Sequence, residues 1–575
     1  MTNRFAVATA AVFLVAVGGQ FLGWIATKVF FFQVAYGGAC AANVSTCPGL
    51  NFLGTATLYL LISTGIASLA DLRLSSAYTY FAARGGDLKV LSGAYLTFRL
   101  ASMSAVAVAF ALLAPEFGFP LEAHGLPLYL FLAVPLLETP SFVYSWGHVA
   151  RGDAARGQVP FLVEAVVRTS LLVVVALQYT QSTVNISMVT YMAAAYVVGA
   201  SASALYCLGY LSTIRLRHFG HALRTMFTFS APLMGAMFLT YTVGTITPFF
   251  VAYYLNNAQL QIFAVANAFF ILLMFLPNAI TVPLFPDMAS LHIRGEDQEI
   301  RRRTRKGLRF TVMLLAPVVV AVVVFRVNLL NILYSNVVAT GGFVSGATAL
   351  IFLAVATVPQ SIFRIMGTVL DAVGQQRREF YLSAVQLGVM VALLYLLVPS
   401  RPGFPLSWGV TGAGVAILGA ALAGLGMNAI WLHRYVGVHL DLKPYAVILG
   451  GASLTFLLFS RDFSHLANLG LRALPQAGAL RLFSRTVPEL FLAYPPVQEV
   501  LVLLLVLAGG VVVYAAVLIA TGELSRRDAL TLAASVGLPR SLAEDIAQLC
   551  WREGDEDREP TASRAGDGEA PPSAR

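Results

Sequence analysis

Residues 227–257 read FTFSAPLMGAMFLTYTVGTITPFFVAYYLNN, and residues 258–309 continue AQLQIFAVANAFFILLMFLPNAITVPLFPDMASLHIRGEDQEIRRRTRKGLR. Two long apolar runs turn at Asn256-Asn257, and the second ends in a dense block of arginine. Each run exceeds the about 20 residues that a helix needs to cross a bilayer. The stretch therefore reads as a transmembrane hairpin. Helices before and after it repeat its plan, which makes it the first hairpin of the second half of the chain.

The composition agrees. Of 575 residues, 58% are hydrophobic and only 11% are charged, whereas soluble domains carry about a quarter charged residues. The surplus apolar surface must face lipid, so the fold class is all-α and integral to the membrane. The net charge of +9 is mostly arginine gathered in loops on one side. The positive-inside rule explains that pattern, and no basic soluble face with stacking aromatics argues for nucleic acid. Cys40 and Cys47 share one loop, as a disulfide or as two free thiols. Cys207 reads as a helix-packing residue. The N-terminal apolar run lacks a small-residue cleavage site and reads as a helix rather than a signal peptide.

Fourteen spans are expected, at about 6–30, 52–70, 90–114, 126–149, 159–179, 187–212, 228–255, 259–286, 309–333, 345–370, 380–399, 409–432, 444–460 and 498–521. Loops after even-numbered spans hold the basic residues, from Arg84 and Lys89 through Arg151, Arg156, Arg215, Arg224 and the Arg294–Lys306 block to Arg377, Arg378, Arg434 and Lys443. Short loops after odd-numbered spans hold little more than Arg401. Both termini are therefore expected to be cytoplasmic, in a multi-pass protein of the cell membrane. The loop at 461–497 carries Arg461, Arg472, Arg481 and Arg485. It reads either as a helix lying in the interface or as a plain connector. Beyond residue 551 the tail is too polar to form a core and reads as disordered.

The halves rhyme. Arg84-Gly85-Gly86-Asp87 follows span 2 and Arg294-Gly295-Glu296-Asp297 follows span 8; Asp153-Ala154-Ala155-Arg156-Gly157-Gln158 follows span 4 and Asp371-Ala372-Val373-Gly374-Gln375 follows span 10. The offsets, about 210 and 218 residues, each enclose six spans. Six is even, so the halves share an orientation and relate by an axis along the membrane normal. The expected units are an N-lobe over 1–221, a C-lobe over 222–434, an added helix pair over 435–521 with its long outer loop, and a cytoplasmic tail over 522–575. Parallel lobes of this kind frame a central cavity and work by alternating access in several transporter folds.

FSAPLMGAMF, FAVANAFFILLMFLPNAITVPLFPDMASL, GEDQEIRRRTRKGLRF, TVMLLAPVVV, LDAVGQQRREF and WGVTGAGVAI together resemble the Wzx-like polysaccharide flippases. These form one branch of the multidrug/oligosaccharidyl-lipid/polysaccharide exporter superfamily. The resemblance is best over about 227–432. It implies a flippase that moves an isoprenoid-linked oligosaccharide, of the phosphate or pyrophosphate type, to the outer leaflet. Such a protein would use ion or substrate gradients, act as a monomer and need no cofactor; the coupling ion is left open. No GxxxxGK[ST] is present to cradle nucleotide. Many relatives carry an Asp within span 7, where this chain has Gly244-Thr245-Ile246-Thr247-Pro248, which weakens ion coupling by that route.

An ionisable residue at mid-membrane costs at least about 2.5–3.5 kcal/mol and needs a partner or a wet cavity. Seven polar residues within spans are therefore the cavity candidates: Arg99, Glu138, Glu164, Arg168, Gln360, Arg364 and Asp371. Glu164 and Arg168 lie one turn apart and can pair. Arg99 could meet a pyrophosphate or pair with a carboxylate such as Glu138, and Arg364 is the candidate anion contact of the second half. Two alternatives within the superfamily are a cation or drug exporter, which would favour an acidic cavity, and a peptidoglycan-precursor flippase. An integral-membrane glycosyltransferase would need acidic metal ligands at an outer loop, and the loop after span 3 offers only Glu116 and Glu122. No metal site and no catalytic residue is assigned.

Overall fold

A computed structural model describes residues 48–83, 86–113, 125–151, 153–179, 185–215, 219–333, 344–399, 407–436, 443, 445–455 and 509–521. Span 1, the Cys40–Cys47 pair, the loop at 461–497 and the tail lie outside the described residues.

The first bundle comprises α1 (Pro48–Asp71), its short continuation α2 (Leu74–Ala83), α3 (Leu88–Leu113), α4 (Gly125–Ala150), α5 (Val159–Gln178) and α6 (Ile186–Tyr206). The second comprises α7 (Phe219–Tyr254), α8 (Asn257–Ile293), α9 (Asp297–Val324), α10 (Arg326–Leu333), α11 (Val344–Ala372), α12 (Gln376–Leu397) and α13 (Gly409–Val436). Two shorter apolar helices follow, α14 (Tyr445–Thr455) and α15 (Gly509–Ala520). Ten helices among the described residues are long and apolar enough to cross a membrane. The protein is thus an all-helical, multi-pass membrane protein, as expected. The opening hairpin is longer than its apolar runs, because α7 starts at Phe219 and α8 runs on to Ile293. At 1.5 Å per residue each exceeds about 50 Å, so both project beyond the bilayer at the arginine-rich end.

Each of the four turns named by the repeat closes in the same way. The amide of Gly86 bonds the carbonyl of Phe81, Asp153 that of His148, Glu296 that of Leu291, and Gln375 that of Leu370. This six-to-one bond is the Schellman closure of a helix C-terminus. Gly295 and Gly374 take the left-handed φ values of 75° and 80° that the closure favours. The repeated motifs are therefore repeated helix stops at one end of the molecule, called here the basic end.

Prolines inside the helices leave carbonyls without an amide partner, and in lipid those must be satisfied by protein. Pro135 of α4 frees the carbonyl of Phe131, which accepts from Ser63 Oγ of α1 at 2.6 Å. Pro317 of α9 frees that of Met313, which accepts from Tyr514 Oη of α15 at 3.1 Å. The second bond ties the added helices to the second bundle.

Packing differs between the two ends. At the end opposite the basic turns, one core runs through both bundles. It joins Leu53 and Ile62 of α1, Phe131 of α4 and Val189 of α6 to Phe263 of α8, Val319 of α9 and Leu350 of α11. Toward the basic end that core divides. Leu74, Tyr78, Tyr95 and Val143 pack as one cluster, to which α7 contributes Met226. Met288, Leu308, Val312, Met366 and Leu432 pack as another. The bundles are sealed together at one end; at the other, the first bundle packs with α7 in one core and the remaining helices of the second bundle pack in another.

The seal is a close crossing of α1 and α8. A Cβ on Gly54 would lie 2.6 Å from the carbonyl carbon of Asn257, so only glycine lets the backbones meet there. Thr57 Oγ1 donates to Gln261 Oε1 at 2.9 Å, and Asn257 Nδ2 donates to Thr55 Oγ1 at 3.1 Å.

Candidate functional site

The candidate charges fall into two groups, one per bundle. In the first bundle Arg99 is only 3% exposed and Asp71, at the end of α1, 5%. Arg99 Nη1 reaches Asp71 Oδ1 at 2.8 Å, and its guanidinium carbon stands 4.0 Å from the centre of the Phe142 ring. Asp71 also accepts from Tyr95 Oη at 2.5 Å and Ser75 Oγ at 2.7 Å. Arg99 is therefore a neutralised, hydrogen-bonded core ion rather than an open phosphate contact, and its partner is Asp71 rather than Glu138. Removing one member of such a buried pair costs about 3–5 kcal/mol.

The chain directly after Asp71 is unusual. Leu72 and Arg73 have φ values of 47° and 59°, a region that costs L-residues about 1–2 kcal/mol each. Ser230 Oγ of α7 donates to the carbonyl of Arg73 at 3.2 Å. The rings of Tyr80 and Phe229 stack 4.6 Å apart. Thus α2, bent away from α1, rests on the first helix of the second bundle.

Glu164 and Arg168 of α5 form the expected pair, at 2.5 Å. The Arg168 guanidinium lies 4.8 Å from the Tyr196 ring centre on α6. Glu138, midway along α4 between Pro135 and Pro140, is within electrostatic reach of Arg99, Arg168 and Glu164. It forms neither a hydrogen bond nor an ion pair among the described residues. The structure thus gathers three carboxylates and two guanidiniums, with both guanidiniums already committed.

In the second bundle Gln360, Arg364, Thr368 and Asp371 follow at helical spacing along α11, whose other faces are packed into the core. Gln386 Nε2 of α12 donates to Gln360 Oε1 at 2.7 Å. Arg364 is exposed and Asp371 half-buried. Among the candidates, Arg364 alone is an exposed cation within a spanning helix. The structure does not join the two groups. A cavity of about 420 Å³ lies elsewhere, between the basic end of the first bundle and the start of α7, lined by Phe81, Asp87, Leu91 and His221 among others. It contains none of the candidates.

Sequence reasoning missed Asp71, Tyr95, Phe142 and Tyr196. Tyr95 was within reach, one turn before Arg99. Asp71 stood one residue past the expected end of its span and looked like a loop acid. Thr247, in the segment where relatives carry Asp, is 1% exposed and its hydroxyl lacks a hydrogen-bond partner. Cys207 is a buried free thiol beside Ser141. Among the described residues, no three His, Cys, Asp or Glu side chains gather to hold a metal.

Three comparisons bear on this architecture. Residues 161–337 match the family model described as "Polysaccharide biosynthesis protein". A probable multidrug resistance protein NorM of Rhizobium meliloti (strain 1021) is 26% identical over 212 residues, 36% of this chain and 43% of that protein. The aligned region thus spans less than half of that relative's length. Among solved structures, the lipid II flippase MurJ in an inward closed conformation superposes with a TM-score of 0.55 at 13% identity, covering 87% of this chain and 97% of that one. An inward-facing multidrug resistance MATE family transporter superposes with a TM-score of 0.54 at 13% identity, covering 73% and 94%. These likenesses give the fold: two helical bundles with further helices appended.

Proposed function

We propose that the chain, which matches the polysaccharide-biosynthesis family model over residues 161–337 and shares the fold of the MurJ and MATE structures, is a member of the multidrug/oligosaccharidyl-lipid/polysaccharide exporter superfamily that flips a lipid-linked oligosaccharide, of the isoprenoid phosphate or pyrophosphate type, across the cell membrane by alternating access. That it is a multi-pass membrane flippase or exporter is the premise; the cargo, its direction and the residues that hold it are the proposal. The observation that carries it is the divided core. One core seals the bundles at the end holding Gly54 and Asn257, and two separate cores pack the basic end. With the arginine-rich turns on the cytoplasmic side, this arrangement is an inward-facing state. In it the rest of the second bundle parts from the first toward the cytoplasm, while α7 stays packed on the first bundle.

Cargo chemistry is supported from two directions. The matching family model concerns polysaccharide biosynthesis. The exposed cation within the spans is Arg364, on the helix whose polar stripe continues through Gln360 and Asp371. Guanidinium binds phosphate through two parallel hydrogen bonds, while amide and hydroxyl groups suit sugar. The bundles differ in their parts: the first buries Arg99 and Arg168 in internal pairs, and the second carries Arg364 at an exposed position.

A cation or drug exporter is the second reading, favoured by Glu138, whose carboxylate makes no hydrogen bond or ion pair among the described residues, and by the NorM likeness. A peptidoglycan-precursor flippase shares the fold at the same level. Reconstitution separates them. Vesicles loaded with a fluorescent isoprenoid-pyrophosphate oligosaccharide should show protein-dependent movement between leaflets, lost in Arg364→Ala. Transport of an organic cation with no movement of the lipid-linked sugar would replace the proposal with the second reading.

A further inference from the structure

The start of α9 carries more positive charge than its own acids can neutralise. Between Asp297 and Arg309 stand six basic residues, Arg301, Arg302, Arg303, Arg305, Lys306 and Arg309, against Asp297 and Glu299. Glu299 accounts for two of them, lying 3.2 Å from Arg302 Nε and 2.8 Å from Arg303 Nε. Arg301, Arg305 and Lys306 make no ion pair or hydrogen bond among the described residues.

Their placement follows from the helix. Ile300, Thr304, Leu308 and Thr311 are buried against the second bundle's basic-end core. At about 100° per residue, the opposite face carries Arg302, Arg305, Lys306 and Arg309, with Arg301 beside it. Apolar sequence begins at Phe310, so these two turns stand at headgroup depth. Arg301, Arg302 and Lys306 are exposed, and α9 packs chiefly on α8 and α11 of its own bundle, which directs this face toward the surroundings of the second bundle. One further observation calls for a ligand. Arg305 Nε is buried yet unbonded, and a donor removed from water without a partner marks an unfilled acceptor position.

We infer that this face of α9 is a docking surface for anionic phospholipid of the leaflet at the basic end. Headgroup phosphates would be gripped by Arg301, Arg305 and Lys306, with one oxygen accepting from Arg305 Nε. The positive-inside rule requires positive charge on this side, but not its concentration on one outward helix face, nor a donor held without an acceptor. A juxtamembrane base is worth about a fivefold change in affinity for anionic lipid. Docking there would hold the second bundle in register with the bilayer while the first moves against it.

The test uses the full-length protein purified in a neutral detergent and titrated with a short-chain phosphatidylglycerol. Phosphatidylcholine of the same chain length is the headgroup control, and inorganic diphosphate stands for the head of the proposed cargo. Preferential binding of phosphatidylglycerol is expected. It should weaken about a hundredfold in the triple variant Arg301→Gln, Arg305→Gln, Lys306→Gln, and stay unchanged in Arg364→Ala. A second variant, Arg301→Lys with Arg305→Lys, keeps the charge and should bind only a fewfold more weakly, which separates loss of the site from loss of the fold. Equal binding of the two phospholipids, or an undiminished preference in the triple variant, would overturn the inference. So would diphosphate displacing phosphatidylglycerol from this face, since the patch would then belong to the cargo.

Discussion

Replacing Gly54 with alanine tests the seal between the bundles, and its effect can be worked from the crossing. The added Cβ would stand 2.6 Å from the carbonyl carbon of Asn257 and 3.0 Å from its Cβ, whereas non-bonded carbons rest about 3.5–4.0 Å apart. The obstacle is backbone on a long helix, so α1 and α8 must separate by about 1 Å. A bond of 2.9 Å from Thr57 to Gln261 and one of 3.1 Å from Asn257 to Thr55 would then stretch beyond hydrogen-bonding range. Losing both costs about 1–3 kcal/mol, and overpacking a close contact about 1–3 kcal/mol more. The sealed state should lose about 2–6 kcal/mol relative to a state with this end open, a shift of at least about thirtyfold. Spin labels at Leu126 and Val344, exposed residues at the sealed ends of α4 and α11, report the opening by pulsed electron resonance once the native cysteines are replaced. The expected result is a longer distance in Gly54→Ala and a smaller change in Thr57→Ala, which loses one bond only. An unchanged distance distribution in Gly54→Ala would refute the reasoning, because the crossing would then not decide which end is closed.

Three further outcomes are expected. Arg364→Ala should reach the membrane at normal levels and fail to move lipid-linked oligosaccharide; normal glycan display by cells carrying it would take Arg364 out of the cargo site. Asp71→Ala should lower the melting temperature sharply, by the about 3–5 kcal/mol of a broken buried pair, and Asp71→Ala with Arg99→Met should recover much of the loss; a double variant no better than the single would show that Arg99 needs no counter-ion. Tyr514→Phe should cost about 1–3 kcal/mol in thermal unfolding by leaving the Met313 carbonyl unbonded, with no such loss in Tyr381→Phe on the exposed side of α12.

The elements were legible because lipid imposes a rule the sequence cannot hide: each crossing needs an unbroken apolar run. The spanning helices cover the runs where hydropathy puts them, while α7, α8 and α9 extend past those runs at the basic end and the short α2 lies outside them. The four matched turns in the repeat are backbone closures, with glycine at the left-handed positions of two of them. What the sequence could not display is how α1 meets α8. Gly54 is one glycine among 48, and its importance depends on which backbone lies opposite. The charge partners were half legible. Glu164 and Arg168 pair along one helix, where spacing suffices. Arg99 and Asp71 pair between helices 28 positions apart, and neither residue's spacing points to the other. The same holds for Ser63 and Tyr514. Pro135 and Pro317 announce that carbonyls are freed, but not which hydroxyls answer them.

The charges constrain how the proposed cycle can work. An anionic head entering from the basic end meets, in the first bundle, arginines already engaged by Asp71 and Glu164, and beyond them the unpartnered carboxylate of Glu138. Breaking either pair to free a cation would cost about 3–5 kcal/mol, comparable to a millimolar ligand's whole affinity. Arg364, exposed on α11, is therefore the better candidate to hold the head, while the first bundle acts as a rigid partner with its two buried arginines engaged. On this account Glu138→Gln should leave the fold intact, since Glu138 makes no hydrogen bond or ion pair among the described residues, and should leave binding of the anionic head unchanged. Weaker binding in that variant would mean that Glu138 positions a group on the cargo, and that the first bundle contributes directly to recognition.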